Sequence, residues 1–414
     1  MVMNKQKGAV SIFIVIFTAL LVTVVTTSFV QIMMRNQQQA TNNDLSQSAY
    51  DSAMAGVEDA KRALVQLKKC QLAAKTGSPV TTECSNLTNL LTNNVQTCDM
   101  LDDAGVATFA SGEAQVGSNT SLNQAYTCVK VKVQTESYKG SLDNDRASVV
   151  IPLVPIDANS SGTNTDELNN MSSVRISWFV KANLPDDTMT GQPKPLVMPP
   201  ASQTNLPPAT GAGSWGDATP PLMWAQLIQF DGTPGTSIDL GKFDDGNART
   251  VLLYPKSGSR PSSASFANDS RRTSGMNRPS YGGCQANFNY GGYACSVVVD
   301  LVPMSGGEQR QAYLRLAGVY INNRGVNYQV EMMSPGVTDS LKFDNVQPEV
   351  DSTGRASDLF RRVKARVSVS DSGTPLPYPD AALSTDKLCK EFFITDDINE
   401  YDGNGNSSLP ACTP

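Results

Sequence analysis

The sequence predicts an α+β protein, in which a long N-terminal helix is followed by a large, mostly antiparallel, β-rich head with disulfides. Three observations predict it. Residues 9–34 contain no charged residue, no proline and no glycine. An apolar helical spacing then continues to about residue 75. The rest of the chain contains short alternating segments separated by turn residues, and all eight cysteines lie beyond the apolar run.

The apolar run is long enough to cross a bilayer, because roughly 20 apolar helical residues span about 30 Å of hydrocarbon. Its Thr and Ser hydroxyls can bond back to the helix's own carbonyls, so they tolerate lipid better than charges do. Lys5 and Lys7 precede the run and are expected to stay in the cytoplasm, which directs the rest of the chain outward. A cleaved signal peptide has a shorter apolar region that ends in small residues, whereas this run is longer and residues 29–34 offer no such site. A plain signal anchor is the alternative that stays open.

The helix is predicted to continue beyond the apolar run, as one apolar stripe with charged residues mostly off it. The stripe consists of Leu45, Ala49, Ala53, Val57, Ala60, Leu64 and Leu67. Glu58 and Arg62 are spaced for an i,i+4 ion pair, and Gly77 and Pro79 end the helix. Either the helix breaks near residues 42–44, where Asn and Asp are weak helix formers, or it is an unbroken rod of about 100 Å.

The N-terminus carries a family resemblance. A short basic leader ends in Gly8, the apolar helix starts at once, and residues 48–58 (SAYDSAMAGVE) follow. This pattern resembles type IV pilin-like proteins, most closely minor pilins with a PilX-type N-terminal domain, over about the first 70 residues. The resemblance implies cleavage between Gly8 and Ala9 by a membrane-embedded prepilin peptidase, followed by methylation. Major pilins have Glu at the fifth mature position, where this chain has Phe13. The absence of that Glu resembles the PilX-type minor pilins and the tip pseudopilins of type II secretion, and it argues against a major-subunit role.

Beyond the helix, the chain reads as a head in two parts around a stretch with nine prolines. The expected parts are a prepilin-type leader (1–8), the long helix (9–75) with its transmembrane part (9–34), a first head part (76–182), a Pro-rich loop or linker (183–221) and a second head part (222–414). A short helix is expected around Leu87. Strands are expected at 127–135, 147–154, 174–180, 222–230, 250–254, 295–302, 312–321, 326–332 and 363–369.

The cysteines are even in number and lie in a region expected to face an oxidising space, so disulfides are expected. Many pairings are possible, and neighbours in sequence are the ones we expect. The expected pairs are Cys70 with Cys84, Cys98 with Cys128, Cys284 with Cys295, and Cys389 with Cys412. A zinc site lacks support, because the chain has no histidine and no CxxC pair.

Composition argues against catalysis and against general nucleic-acid binding. Without histidine, the usual general base and the Ser/His and Cys/His triads are excluded. Gly211, Gly213 and Gly216 match GxGxxG but lie in the Pro-rich stretch without a strand before them or a helix after them. A net charge of −6 does not suit phosphate binding. We therefore expect no enzyme, no organic cofactor and no nucleic-acid partner.

One calcium hypothesis comes from the C-terminus. Asp402, Asn404 and Asn406 are spaced as in the first half of an oxygen-ligand loop for Ca²⁺. The glycine that should follow is Ser407, and the twelfth position is Thr413 rather than Glu. The alternative is a polar turn inside the loop of residues 389–412.

Two further segments are candidates for binding. In the basic strand 361–367, alternate residues are cations and share one face of the strand. This face could bind DNA or an acidic surface of another subunit. The alternative is an ordinary solvated sheet face. In residues 280–295, aromatic residues alternate with Gly and Asn, as in binding loops; the alternative is packing against the head or a neighbouring subunit. The candidate side chains of this second segment are Tyr281, Phe288, Tyr290 and Tyr293.

Taken together, the resemblance implies a structural or adhesive, minor-pilin-like subunit of a type IV pilus. It implies a single-pass cytoplasmic-membrane protein with an extracytoplasmic C-terminus before assembly, and a place in the surface pilus afterwards. The implied partners are other pilin subunits, prepilin peptidase, the pilus assembly platform, the membrane and a host-surface ligand. The alternatives are a type II secretion pseudopilin and a non-polymerising, signal-anchored surface binding protein.

Overall fold

The structure, a computed structural model, describes most of the helix and much of the head. The described residues are 7–75, 79, 81–92, 97–98, 100–116, 123–143, 147–155, 171–180, 197–198, 215–216, 219–231, 248–268, 280–285, 292–301, 310–321, 325–334 and 340–367. They belong to one compact unit, residues 1–373, whereas residues 374–414 are a separate unit outside the described residues. Most of the Pro-rich stretch 183–221 also lies outside them.

The N-terminal helix, α1, runs without a break over Lys7–Lys75, 69 residues. At 1.5 Å per residue it is about 100 Å long. The unbroken alternative is therefore the observed one, and Asn42, Asn43 and Asp44 are tolerated inside the helix. The helix ends shortly before Pro79, as the sequence predicts.

The apolar stripe of α1 packs into the head from Ala49 onward. Its buried members are Ala49, Ala53, Val57, Ala60, Leu64 and Leu67. The ion pair expected between Glu58 and Arg62 is not the one observed. Arg62 pairs with Asp59 instead, at 2.9 Å. Asp59 lies one turn away from Arg62 and also accepts a hydrogen bond from Tyr126, which holds its carboxylate in place for Arg62.

Two short helices pack beside α1. They are α2 (Thr82–Thr92), which covers the predicted short helix, and α3 (Met100–Asp103). Leu87 and Leu91 of α2 are buried in the same core as the α1 stripe. Disulfide Cys70–Cys84 links α1 to α2.

A small antiparallel sheet packs on the C-terminal half of α1. Its strands, in spatial order, are β1 (Ala114–Gln115), β2 (Gln124–Thr135), β15 (Phe343–Ala356) and β16 (Leu359–Arg366). Val129, Val131 and Val133 of β2 are fully buried in the core shared with α1, as the alternation predicts. Disulfide Cys98–Cys128 joins β2 to the segment before α3.

The helix and this sheet approach each other through small residues. A Cβ added at Gly354 of β15 would lie 2.2 Å from the backbone nitrogen of Ala53 and 2.3 Å from the carbonyl oxygen of Ala49. A Cβ added at Gly56 would lie 2.5 Å from the Ser352 hydroxyl. Backbone therefore meets backbone, and only glycine fits at Gly354 without moving the helix.

Within the described residues, a second sheet has twelve strands. They are β3 (Tyr138–Leu142), β4 (Ser148–Leu153), β5 (Ser173–Val180), β6 (Leu222–Asp231), β7 (Ala248–Ser257), β8 (Ser262–Ser265), β9 (Ala267–Asn268), β10 (Ser280–Cys284), β11 (Cys295–Asp300), β12 (Arg310–Val319), β13 (Val326–Met333) and β14 (Ser340–Leu341). The main row is β14-β13-β5-β11-β10-β7-β6-β12-β4, with β3, β8 and β9 paired to β13, β11 and β7.

The large sheet curls into a near-closed barrel. Alternate side chains of its strands meet in one buried cluster; Val174, Ile176 and Trp178 of β5 are examples. Leu142 of β3, at one end of the row, lies close to Gly318 of β12, near the other end. The nearly closed form leaves little free edge.

Every predicted strand segment overlaps an observed strand, but the sequence missed several others. The longest strand, β15, was missed because Pro348, Gly354 and several Asp and Glu residues lower its strand propensity. The strand pairing is mostly antiparallel, as expected. However, β10 pairs with β7, and β8 with β11, in parallel, because the chain runs back between the paired strands.

The two sheets are joined by a buried amide. Gln347, which is 8% exposed, accepts from the Lys139 backbone nitrogen at 2.9 Å and donates to the Lys139 carbonyl at 2.7 Å. Arg366 also donates to the Gln347 side-chain oxygen, at 3.2 Å. One side chain thereby bonds β15 of the small sheet to β3 of the barrel and to β16.

We expect Gln347→Leu to lower the free energy of unfolding by about 1–3 kcal/mol, because the backbone nitrogen and carbonyl of Lys139 each lose the hydrogen bond that the buried Gln347 amide makes to them. Urea unfolding followed by near-UV circular dichroism measures it. Gln115→Leu, at an exposed position, is the control and should change stability by less than about 0.5 kcal/mol. Equal effects of both variants would contradict the role of the Gln347 amide.

A second prediction concerns alkaline pH. Burial, together with the hydrogen bond to Asp59 at 2.8 Å, holds the pKa of Tyr126 well above its usual range. Burial also raises the pKa of Tyr293 and of Tyr313 to about 12. The folded chain therefore keeps phenolic protons that the unfolded chain loses near pH 10.

Each of these tyrosines has a higher pKa in the folded chain than in the unfolded chain. Their contribution to the free energy of unfolding is therefore complete below about pH 10, the unfolded pKa, and is lost as pH rises through the folded pKa. We expect the free energy of unfolding to fall above about pH 10, and to fall less steeply in Tyr126→Phe. Urea midpoints measured from pH 8 to pH 11 test it. A free energy of unfolding of the wild type that stays constant from pH 8 to pH 11 would contradict this prediction.

Candidate functional site

The N-terminal part of α1 is an exposed apolar surface. The large apolar side chains between Ile12 and Met34 are 53–79% exposed, and none packs on the head. The most apolar part of this helix has no residue buried inside the protein. The helix is long and apolar enough to cross a membrane. An apolar surface of this extent exceeds what soluble monomers leave in water, so lipid or other protein must cover it.

Polar groups within this surface are satisfied inside the helix. The Thr18 hydroxyl donates to the Ile14 carbonyl at 2.8 Å, Thr26 to Val22 at 2.6 Å, and Ser28 to Val24 at 2.9 Å. Thr23 and Thr27 make equivalent bonds. This is the back-bonding that the sequence predicts, and it allows the segment to enter lipid without carrying unpaired hydroxyls.

An exposed polar collar separates the apolar segment from the head. It comprises residues 35–44, which begin with Arg35 and are rich in Gln and Asn. Ten helical residues rise about 15 Å. This distance exceeds the thickness of one headgroup layer, about 5–7 Å. An anchored chain would therefore hold its head clear of the bilayer surface.

The residues named by the family resemblance lie at the N-terminal end of this segment. Gly8 and Ala9 are in the first turn of α1, which begins at Lys7, and Lys5 lies outside the described residues. Among the large apolar side chains that the structure describes, Phe13 is the most exposed, at 79%. An uncharged residue there keeps the whole first part of the segment compatible with lipid.

The three cations that share one face of the basic strand, Arg362, Lys364 and Arg366, pair with acidic residues of β15 across the small sheet. Arg362 pairs with Asp351, and Lys364 lies 2.7 Å from Glu349. The hydrogen bond from Arg362 holds the pKa of Asp351 below its usual range. Arg366 reaches the same Glu349 at 3.8 Å. Since the acidic side chains of β15 offset these charges, the structure favours a solvated sheet face over a DNA-binding one.

The aromatic candidates of residues 280–295 do not act as one group. Tyr281 on β10 is 49% exposed. Tyr293 is partly buried and stacks edge-on against Phe179 with ring centres 5.5 Å apart, while its carbonyl accepts from Arg260. Tyr293 thus packs against the head, which is the alternative left open above. Phe288 and Tyr290 lie outside the described residues.

Tyr281 instead belongs to a cluster that the sequence did not reveal. Tyr254 of β7 lies beside it, with ring centres 6.1 Å apart, and Trp215 packs edge-on against Tyr254 at 5.7 Å. Tyr320 stacks on Trp215 at 4.8 Å. We call these four residues the aromatic cluster. No sequence signal links them, because they come from four distant parts of the chain.

The cysteines and the calcium candidates divide between described and masked parts of the chain. Cys70–Cys84, Cys98–Cys128 and Cys284–Cys295 are disulfides, which are three of the four expected pairs. The remaining expected pair and the calcium candidates lie outside the described residues; they are Cys389, Cys412, Asp402, Asn404 and Asn406. In the part of the chain that the structure describes, no group of His, Cys, Asp and Glu is arranged to hold a metal ion.

The chain matches no family model, no curated protein and no solved structure. The features on which a function can be based are therefore the apolar segment, its internally bonded hydroxyls, the polar collar and the disulfide-linked head.

Proposed function

We propose that the chain is a minor-pilin-like structural or adhesive subunit of a type IV pilus. Its apolar segment anchors it in the cytoplasmic membrane before assembly and packs among the helices of other pilin subunits afterwards. The observation that carries this proposal is the division of one continuous helix into an exposed apolar half and a half buried in the head.

The physical support is that lipid and a bundle of apolar helices hide the same surface. Transfer between them involves little net hydrophobic change, so packing and geometry decide the balance. It also requires that no backbone or hydroxyl group loses a partner on the way. The hydroxyls of Thr18, Thr23, Thr26, Thr27 and Ser28 bond within the helix and keep their partners in either environment.

The disulfides support a head outside the cytoplasm. Such bonds persist in oxidising spaces and are rare in the cytosol. An outward head agrees with retention of the basic leader on the cytoplasmic side. In this proposal prepilin peptidase and the assembly platform act on the membrane-bound chain, and the head provides surface attachment or contributes to the tip.

The experiment is mass spectrometry of the native N-terminus in two fractions, sheared surface filaments and washed cell membranes. We expect the filament fraction to contain chains that begin at a methylated Ala9. A Gly8→Leu variant should keep Met1, stay in the membrane and be missing from filaments, because processing precedes assembly in the family that the leader resembles.

Two outcomes would contradict the proposal. An intact Met1 in membranes, with no chain in filaments, indicates the solitary signal-anchored surface protein. A processed chain that is absent from surface filaments, while the filaments themselves are present, indicates the secretion pseudopilin.

A further inference from the structure

The outward face of α1, opposite the apolar stripe that packs on the head, is divided by charge. Its N-terminal part carries Asp44, Asp51 and Glu58, and its C-terminal part carries Arg62 and Lys69. All five residues are exposed. Successive charges of one sign are seven residues apart, which keeps them on one side of the helix. We call these five residues the charged stripe.

The charges of the stripe are only weakly engaged within their own chain. Asp51 accepts a hydrogen bond from the glutamine four residues before it, at 2.9 Å. Arg62 pairs with Asp59, while the Arg62 side chain stays 78% exposed. Glu58 and Lys69 make no hydrogen bond or ion pair with the described residues. Exposed pairs of this kind contribute little to stability, so they can be exchanged for the charges of a neighbouring molecule.

The stripe is complementary to itself in a displaced register. Two parallel copies of the chain in the same register would place like charges opposite each other. Asp51 and Arg62 are 11 residues apart, and so are Glu58 and Lys69. A displacement of 11 residues therefore sets both acids of one copy opposite both cations of the other. Eleven residues make about three helical turns, so the two copies still present the same face to each other.

This displacement is available only outside a flat bilayer. Eleven residues rise about 16 Å along the helix axis. Residues 9–34 rise about 39 Å, whereas the hydrocarbon layer is about 30 Å thick, so a membrane-bound helix can slide by only about 9 Å. Neighbouring copies in one membrane therefore face each other with like charges. Copies that have left the bilayer can reach the attractive register.

We propose that the charged stripe binds a second copy of this chain, parallel and displaced by 11 residues. The acidic part of one copy pairs with the basic part of the other. Between the two ion pairs, the partly exposed Met54 lies opposite the partly exposed Val65. Because two different parts of one surface meet, each copy keeps one part free, and the contact repeats in an open row. This inference rests on the proposed function, since it requires an assembly outside the bilayer.

An antiparallel second copy is the main competing arrangement. It would set Asp44 opposite Lys69 and Asp51 opposite Arg62, each twice by symmetry. However, it would place the two apolar segments at opposite ends of the pair. Chains that enter one membrane with their basic leaders on the same side all point the same way. The parallel arrangement keeps that common direction.

The test uses two complementary variants of the full chain in cells that make filaments. The first is Asp51→Lys with Glu58→Lys, and the second is Arg62→Glu with Lys69→Glu. Each variant alone carries one sign of charge from position 51 to position 69. We expect its amount in sheared filaments to fall roughly tenfold, because two ion pairs become two like-charge contacts. Co-expression of the two variants should restore the wild-type amount.

The matched control is Asp103→Lys with Asp358→Lys. It makes the same change in net charge as the first variant, at exposed positions off the stripe. Its amount in filaments should equal that of the wild type. All variants should be as abundant as the wild type in washed membranes, because none of the substituted side chains is buried.

The register is read out by a zero-length carbodiimide, which joins a carboxylate to an amine. In either variant, positions 58 and 69 carry the same charge, so this reagent cannot join them within one variant. In co-expressing cells, a bond between positions 58 and 69 therefore forms only between the two variants. We expect this product in sheared filaments and none in washed membranes.

The proposal is overturned if either variant alone enters filaments as well as the control does. Failure of co-expression to restore the amount would indicate that the stripe binds a different subunit. A product between positions 44 and 69 in place of the expected one would indicate the antiparallel arrangement. Filaments that contain the chain but no product between positions 58 and 69 overturn this contact and leave the proposed function intact. Filaments that lack even the wild-type chain overturn both.

Discussion

Replacing Gly354 by alanine is expected to lower the free energy of unfolding by about 3 kcal/mol, at the upper end of the cost of overpacking. The added methyl group would lie 2.2 Å from the Ala53 nitrogen and 2.3 Å from the Ala49 carbonyl oxygen. Both are backbone atoms inside α1, so neither can turn aside as a side chain would. The strand has to move away from the helix, which opens the core between them.

The matched control is Gly325→Ala. A Cβ at Gly325 meets nothing within 4 Å, so the substitution should change stability by less than about 0.5 kcal/mol. Urea unfolding gives both values, and hydrogen exchange of the α1 amides between residues 45 and 70 locates the effect. Similar stability of the two variants would contradict close packing between Gly354 and α1.

An Asp at Leu20 is expected to displace the chain from the membrane. Leu20 lies near the middle of the apolar segment and is 59% exposed. An acidic residue at the centre of a membrane helix costs about 3 kcal/mol, which corresponds to roughly a hundredfold change in partitioning. The fraction of the chain that resists carbonate extraction should fall sharply, and the chain should be missing from filaments.

Gln38→Asp adds the same charge in the exposed polar collar and should remain membrane-bound. The head of Leu20→Asp should stay folded, because no side chain of the apolar segment packs on it. Equal membrane retention of Leu20→Asp and the wild type would show that the apolar segment is not the anchor.

Much of α1 was predictable, because periodicity and charge are local features of a sequence. The apolar run, the buried stripe from Ala49 to Leu67 and the back-bonded hydroxyls all follow from spacing alone. The continuity of the helix through Asn42 and Asn43 could not be predicted from spacing, since the weak helix propensity of these residues permits either a break or a continuous helix.

The head was predictable strand by strand where apolar residues alternate, as in β2 and β13. The long strand β15 escaped because its inward positions include Ser352 and Gly354, which carry no apolar signal. They are small because α1 lies directly against them. Such a requirement comes from a partner element far away in sequence, so local pattern cannot reveal it.

The candidate sites show the same limit. Neighbouring cysteines pair as expected, because short loops favour closure. Tyr281 and Tyr293 lie close in sequence, yet one joins the aromatic cluster and the other packs on Phe179. The difference is set by which strands β10 and β11 adjoin, and strand order is a property of the whole sheet.

The most direct test of the account places a photo-crosslinking amino acid at Val22, on the exposed apolar surface, in cells that make filaments. After irradiation, sheared filaments should contain an adduct that joins the N-terminal helix of this chain to the N-terminal helix of another filament subunit. An adduct found only with lipid, together with filaments that lack this chain, would contradict the claim that one helix serves first as an anchor and then as a packing element.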